Sequence, residues 1–237
     1  MKLAEQVARD IAESVFTHEL APGTKLPSER AMLDQFGVSR GTLREALRIL
    51  EVQGLLIVKV GPAGGPMVAA MTAKDFQRMS SLHYKAAGAT VRELWRARVE
   101  IEPDLARLAA EARDPIAVAE LEAWVDMGKQ TKIYNEVEFL RIGGEFHRCI
   151  ARASCNPILD LIARSLGEMT TYLTSSGVFA EEQRSKVHLD HQAIARAIIS
   201  GNVQRAEKLM RLHVNEMATS HAERFPGSLD TVVPYII

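Results

Sequence analysis

The sequence predicts a mainly α-helical chain of two parts: an N-terminal unit of three helices closed by a β-hairpin, and a C-terminal bundle made only of helices. Three observations predict it. Apolar residues recur at helical spacing in segment after segment. Apart from a short one at Lys25-Leu26, strand signals lie in one stretch with a Gly/Pro tip, between Leu55 and Val68. From Ala87 onward, helix breakers separate periodic stretches and no strand signal appears. Composition agrees: 47% hydrophobic and 25% charged residues are ordinary for a globular protein, and 5% aromatics with abundant Ala and Leu favour helix.

The elements follow in order. Val7, Ile11 and Val15 give residues 4–18 one apolar face. Pro22-Gly23 marks a turn, and Lys25-Leu26 suits a short strand. Ser28 is an N-cap for a helix carrying Met32, Leu33 and Phe36, which Gly37 ends. Ser39 caps the next helix, Arg40 to about Gln53, closed by Gly54. Leu55–Val58 and Pro66–Val68 then bracket Gly61-Pro62-Ala63-Gly64-Gly65 as a hairpin, or wing. This is a winged helix-turn-helix pattern over residues 1–70. Residues 71–89 read as a linker that becomes helical, and Thr90 caps the bundle's first helix. Helices are expected near 91–112, 115–128, 132–154, 157–174, 181–200 and 202–221. They make a bundle over 90–222, followed by a C-terminal tail over 223–237 that lacks a helical period.

Charge alone says nothing of nucleic acid. The chain has 237 residues and a net charge of −1, and residues 1–70 hold eight Lys/Arg against eight Asp/Glu. Cys149 and Cys155 form no CxxC motif, no apolar run approaches the ~18 residues of a membrane span, and the polar N-terminus lacks a signal-peptide core. A reducing cytoplasm is the expected compartment.

Local geometry makes the case for DNA. Leu43, Ala46, Leu47 and Leu50 form one stripe of the third helix, and Arg40, Arg44 and Arg48 form a second beside it. A helix that docks one side and offers guanidinium groups on another suits the major groove, where Arg reads guanine edges. Solvated surface arginines are the bland alternative, and Arg30 can pair with Glu29, Asp34 or Glu45.

In the C-terminal half, His147, His191 and His213 fall on separate helices. Imidazoles from several helices can ligate one divalent ion. Hydrogen-bonded core histidines are the plainer reading. Arg98 can meet an effector carboxylate with its planar fork, or pair with Glu102 one turn on. Trp95 and Trp124 suit a core.

The run Pro22-Gly23-Thr24-Lys25-Leu26-Pro27-Ser28-Glu29-Arg30, with Phe36-Gly37-Val38-Ser39-Arg40 and Thr42-Leu43-Arg44-Glu45-Ala46-Leu47, resembles the GntR family of regulators over residues 4–70. The resemblance implies that Arg30, Arg40 and Arg44 contact the major groove, helped by Ser39 and Thr42. It implies that the wing tip near Gly61 enters the minor groove. Gly41 stands where several members carry a larger polar residue. Arg98-Val99-Glu100-Ile101-Glu102-Pro103, Phe146-His147 with Ala153-Ser154-Cys155-Asn156-Pro157, His191 and His213 resemble the effector domain of the FadR subgroup, often called FCD, over about 75–220.

That resemblance implies an effector-responsive repressor, homodimeric on a palindromic operator, and no enzyme. It implies a zinc, manganese or nickel ion held by three histidines and an Asp one turn before the first. The Asp position here is Gly143, so the carboxylate is missing and a metal-free pocket is the alternative. Gly143-Gly144 is either a tolerated bend or loop, or an opening for a bulkier effector beside His147. The effector-binding residues expected are therefore Arg98, Gly143, His147, His191 and His213, for a carboxylate or acyl-type metabolite. A metal-dependent lyase or hydrolase would need a base such as Glu145, which points to another side of its helix than His147. An interaction module that has lost DNA reading would not need Arg30, Arg40 and Arg44.

Overall fold

A computed structural model describes residues 2–61, 64–130, 136–174 and 180–236, without the side chains of 127–130 and 136. Pro62 and Ala63 of the hairpin tip, the start of the helix expected from 132, and the break at Ser175-Ser176-Gly177 lie outside the described residues. The chain divides into two compact units, Met1–Asp75 and Phe76–Ile237.

The first unit contains α1 (Leu3–Thr17), α2 (Glu29–Phe36), α3 (Arg40–Val52), β1 (Leu56–Lys59) and β2 (Gly65–Val68). The local signals act as caps. Ser28 Oγ accepts the Ala31 N–H at 3.3 Å, and Ser39 Oγ accepts the Thr42 N–H at 3.2 Å. Between them Gly37 takes the left-handed conformation (φ 62°) that ends α2 and lets α3 start three residues later. Val7, Ile11 and Val15 of α1, Met32 of α2, and Leu43, Leu47 and Leu50 of α3 bury against Leu55, Leu56 and Val68. Each such side chain contributes ~1.5–3 kcal/mol on burial. β1 and β2 pair antiparallel from Leu56 opposite Val68 to Lys59 opposite Gly65. Lys25 pairs with Met67 as an isolated antiparallel bridge, flanked by hydrogen bonds from the Leu26 N–H to the Pro66 carbonyl and from the Val68 N–H to the Thr24 carbonyl, so the strand suggested at Lys25-Leu26 is a short bridge on the free side of β2.

The second unit holds α5 (Val91–Ala112), α6 (Pro115–Gln130), α7 (Glu136–Ala153), α8 (Pro157–Thr174), α9 (Glu181–Ile199) and α10 (Val203–Arg224). It is preceded by α4 (Ala73–Ala86), whose residues up to Asp75 belong to the first unit. Thr90 and Glu93 close a reciprocal capping box at the start of α5. α5 packs on α7, α8, α9 and α10 and is the bundle's central element. Pro103 lies inside it, where a missing N–H leaves the Val99 carbonyl without its helical donor. Arg211 of α10 donates to that carbonyl at 3.4 Å, so the defect becomes a tie between two helices.

The segment after α10 packs against the bundle. A 3₁₀ turn spans Ser228–Asp230, the Val91 N–H donates to the Thr231 carbonyl, and the Val233 N–H donates to the Ala89 carbonyl. Val233 is buried in the bundle core. No helical period was available to reveal this, because the chain is anchored there through backbone hydrogen bonds. Among the described residues no helix is long and apolar enough to cross a membrane.

Candidate functional site

The first unit displays its arginines. Arg30 on α2 and Arg40, Arg44 and Arg48 on α3 are exposed, on the helices joined by the Gly37-Val38-Ser39 turn. Arg44 approaches Glu29 at 3.6 Å, with 69% of its side chain exposed. A pair so open to water is worth little and is easily exchanged for another partner. Arg30, Arg40 and Arg48 have no ion-pair partner among the described residues, so the pairings weighed for Arg30 do not form. Ser39 is exposed and Thr42 half-buried, and their hydroxyls lie 2.9 Å apart. Gly61 is exposed at φ 117°, a conformation suited to glycine. A Cβ at Gly41 would meet only Ser39 Oγ, at 3.8 Å, so a larger residue would fit there.

The second unit hides its polar residues. His147 on α7, His191 on α9 and His213 on α10 converge: each offers a ring nitrogen, and these lie within 4.8 Å of one another. His191 and His213 are each 3% exposed, and their Nε2 atoms stand 3.0 Å apart. Phe146 stacks on His191 at a centroid distance of 4.1 Å, and Trp124 packs on both rings. Burial, then the neighbouring His213 and His147, hold His191 well below the ordinary imidazole range. Burial and the nearby His147 push His213 down to about 3. Both rings are neutral near pH 7, the form in which imidazole ligates a metal.

Arg98 and Glu102 of α5 border the histidines. Arg98 Nε donates to Glu102 Oε1 at 2.5 Å and Nη1 donates to Thr170 Oγ1 at 2.6 Å. The i,i+4 pairing of Arg98 with Glu102 is therefore present, and its third nitrogen, Nη2, has no partner among the described residues. Trp95, otherwise buried, lies under the guanidinium at 5.1 Å. Burial opposes ionisation of Glu102, but Arg98 and His147 outweigh it and hold its carboxyl well below the usual carboxylate range. Glu102 Oε2 lies 2.6 Å from His147 Nδ1. The ring geometry does not make this a hydrogen bond, and both atoms are buried without one.

These groups line a cavity with about 90 Å³ of space for water centres. Gly143 and Gly144 line it too, within an uninterrupted α7, so the pair is no loop. Glu145 faces elsewhere and bonds Arg148 and Arg152. The sequence offered Glu102 only as a partner for Arg98, and did not single out Thr170. The signal for Thr170 is its place with Thr174, one turn on, as polar residues on the buried face of α8.

Comparison with known proteins fits both halves. The model of the bacterial regulatory proteins of the gntR family matches residues 3–63, and the FCD domain model matches residues 93–216. The chain belongs to the GntR family of bacterial regulators and carries an FCD domain. It is thus a DNA-binding transcriptional regulator under effector control and not an enzyme. Similar proteins include the "HTH-type transcriptional repressor NanR" of Cronobacter sakazakii, 28% identical over 91% of this chain and 84% of the relative. The protein of the same name from Salmonella newport is 29% identical over 93% of this chain and 86% of the relative. Among solved structures, Streptococcus agalactiae GntR shares the fold with a TM-score of 0.73 at 23% identity, over 92% of this chain and 99% of the other. For this GntR-family regulator, α2 and α3 are the helix-turn-helix pair, and the histidine cluster lies inside the FCD domain.

Proposed function

We propose that the chain is a cytoplasmic repressor that binds a palindromic operator as a homodimer and responds to a small carboxylate bound at a metal in the FCD domain. Two recognition helices on one palindrome require two copies. Arg30, Arg40 and Arg44 read the major groove, Ser39 and Thr42 hold the backbone, and Gly61 leads the wing into the minor groove. That similar proteins are named as repressors supports the sign.

One observation carries the effector reading: three imidazoles of different helices converge beside an arginine with an unspent donor. Zinc–nitrogen bonds of ~2.0–2.1 Å set tetrahedral ligand atoms about 3.3 Å apart. The 3.0 Å between the Nε2 atoms of His191 and His213 suits that spacing. His147, His191 and His213 would hold zinc, manganese or nickel, which would supply an electrophilic anchor for a carboxylate. Arg98 would orient the same carboxylate through Nη2. At roughly 10–15 Å³ per water, the cavity suits a compact acid better than a long acyl chain.

Elemental analysis of the purified protein tests this, with and without chelator. The expected result is about one metal per chain, lost in His147→Ala and His191→Ala, with hydroxy- and dicarboxylates releasing operator DNA only from the loaded protein. A metal-free protein that folds and binds DNA would reduce the histidines to cavity lining and move the search to acyl-type ligands.

A further inference from the structure

We infer that the effector, a compact anion, enters its cavity through a glycine-lined gap between α7 and α8, and that the ion pair of Arg148 with Glu168 latches this port. The inference rests on the reading of the cavity as the effector site and adds the route into it.

The cavity lining differs from side to side. Trp95, Arg98, Glu102 and Leu105 of α5, with Met210 and His213 of α10, are all buried. On the α7–α8 side, Gly143, Gly144, Arg148, Gly167 and Glu168 line the same cavity and are half-buried. α7 and α8 pack on each other and are joined by a tight turn at residues 154–156. Gly144 stands eleven residues before Cys155 of that turn, and Gly167 stands twelve after it. With a rise of about 1.5 Å per residue on each helix, the two glycines lie at nearly the same height of the helical hairpin.

Neither backbone geometry nor helix packing demands these glycines. None has the positive φ that glycine tolerates. A Cβ at Gly167 would meet nothing within 4 Å. At Gly144 its three nearest neighbours would be guanidinium atoms of Arg148, with Nη1 at 3.3 Å. Glycine is a poor helix former, so both positions give up helix stability and gain open space. Val187 of α9 and Met217 of α10 are half-buried lining residues too, but there full side chains fill the wall.

Arg148 crosses the gap. Its Nε and Nη2 donate to Glu145 Oε2 of its own helix at 3.0 and 2.8 Å, and its Nη1 donates to Glu168 Oε1 of α8 at 3.3 Å. The bond that spans the gap is the longest of the three. Its two side chains are 31% and 28% exposed, and an ion pair this open to water holds weakly. An entering carboxylate can take the place of Glu168 at Nη1 while Glu145 keeps Arg148 on α7.

A thiol on the far wall tests the port in the full chain. Met210→Cys is made in a Cys155→Ser background, and its labelling by methyl methanethiosulfonate, small and uncharged, is followed by mass spectrometry. The same chain without the reporter gives the background from Cys149. Leu105→Cys on α5 is a second reporter, used if the first does not fold. Labelling of the folded protein is expected to outpace unfolding. Gly144→Leu and Gly167→Leu should each slow it at least about tenfold, because only local opening then admits the reagent. Leu is the better helix former, so neither plug should unfold its helix. Glu168→Gln should speed labelling roughly two- to fivefold, the worth of a half-exposed ion pair. Unchanged rates in both glycine variants overturn the port, as does slowing in Val187→Phe alone. A reporter labelled no faster than the protein unfolds overturns it too. The reagent needs neither metal nor effector, so each of these failures leaves the proposed function standing, and a metal-free protein leaves the port standing.

Discussion

The two units solve opposite problems with the same kind of residue. In the first, Arg40 and Arg44 stand on the outside of a helix whose other side is a purely apolar core. In the second, Arg98 is 8% exposed and its charge is met by Glu102 inside the bundle. A surface arginine costs almost nothing to keep, and its interaction energy becomes available when a partner arrives. A buried arginine must be matched at once, because desolvation is expensive without pairing. The first unit can therefore change its contacts without changing its stability. In the second, an ion or ligand bound at the proposed site would add its binding free energy to the stability of the bundle.

The largest effect that would break this comparison lies in the first unit. If Arg40 and Arg44 read bases as proposed, at ~1–3 kcal/mol each, Arg40→Ala with Arg44→Ala should lower operator affinity roughly 30- to 10⁴-fold in a gel-shift titration. Thermal stability should stay within about half a kcal/mol, as for ordinary surface changes. A double variant that binds operator like the parent would remove α3 from the reading role.

Metal removal is the matching experiment in the second unit. An ion present at 100 times its Kd stabilises by about 2.7 kcal/mol, which moves the melting point of a unit this size by roughly 5–11 °C. Calorimetry with and without chelator should shift the transition of residues 76–237 and leave the transition of residues 1–75 in place. Equal movement of both would mean that the two units do not unfold separately.

A smaller effect is expected at Gly143. Leu at this position would fill cavity space beside His191. Effector affinity should drop about tenfold, near 1.4 kcal/mol, with operator affinity unchanged. Calorimetric titration and gel shift read the two quantities separately, and unchanged effector affinity would remove Gly143 from the pocket's function. Smallest is Ser39→Ala. Loss of an N-cap costs ~1 kcal/mol of helix stability, so both the first unit's melting point and its operator affinity should fall modestly. A fall in affinity alone would assign Ser39 to a phosphate contact beyond its capping bond to Thr42.

Legibility followed locality. The caps at Ser28, Ser39 and Thr90 and the stop at Gly37 each depend on neighbours within a few residues, so chain order displays them. The arginine stripe of α3 is visible for the same reason: residues four apart share a helix face wherever the helix sits. The three histidines could be named because each recurs in a recognisable setting, but their convergence depends on α7, α9 and α10 packing together. Glu102 was visible only as the i+4 partner of Arg98. That its second oxygen faces His147 is a fact about α5 against α7, forty-five residues away in sequence. The packed C-terminal segment was hidden in another way, since backbone bonds to residues 89–91 carry no side-chain signature.

The sequence by itself determined the element order, the winged helix-turn-helix pattern, the outward arginines and the identities of the candidate ligands. The helices and the outward arginines follow from 3.6-residue periodicity and capping chemistry acting over one or two turns, the wing from its Gly/Pro tip, and the ligands from imidazole chemistry and the family resemblance. Only the tertiary structure decided which polar atoms are buried together and left unbonded beside the cavity. Burial and pairing are set by how separate helices pack, and residues far apart in the chain meet there with no local pattern to announce them.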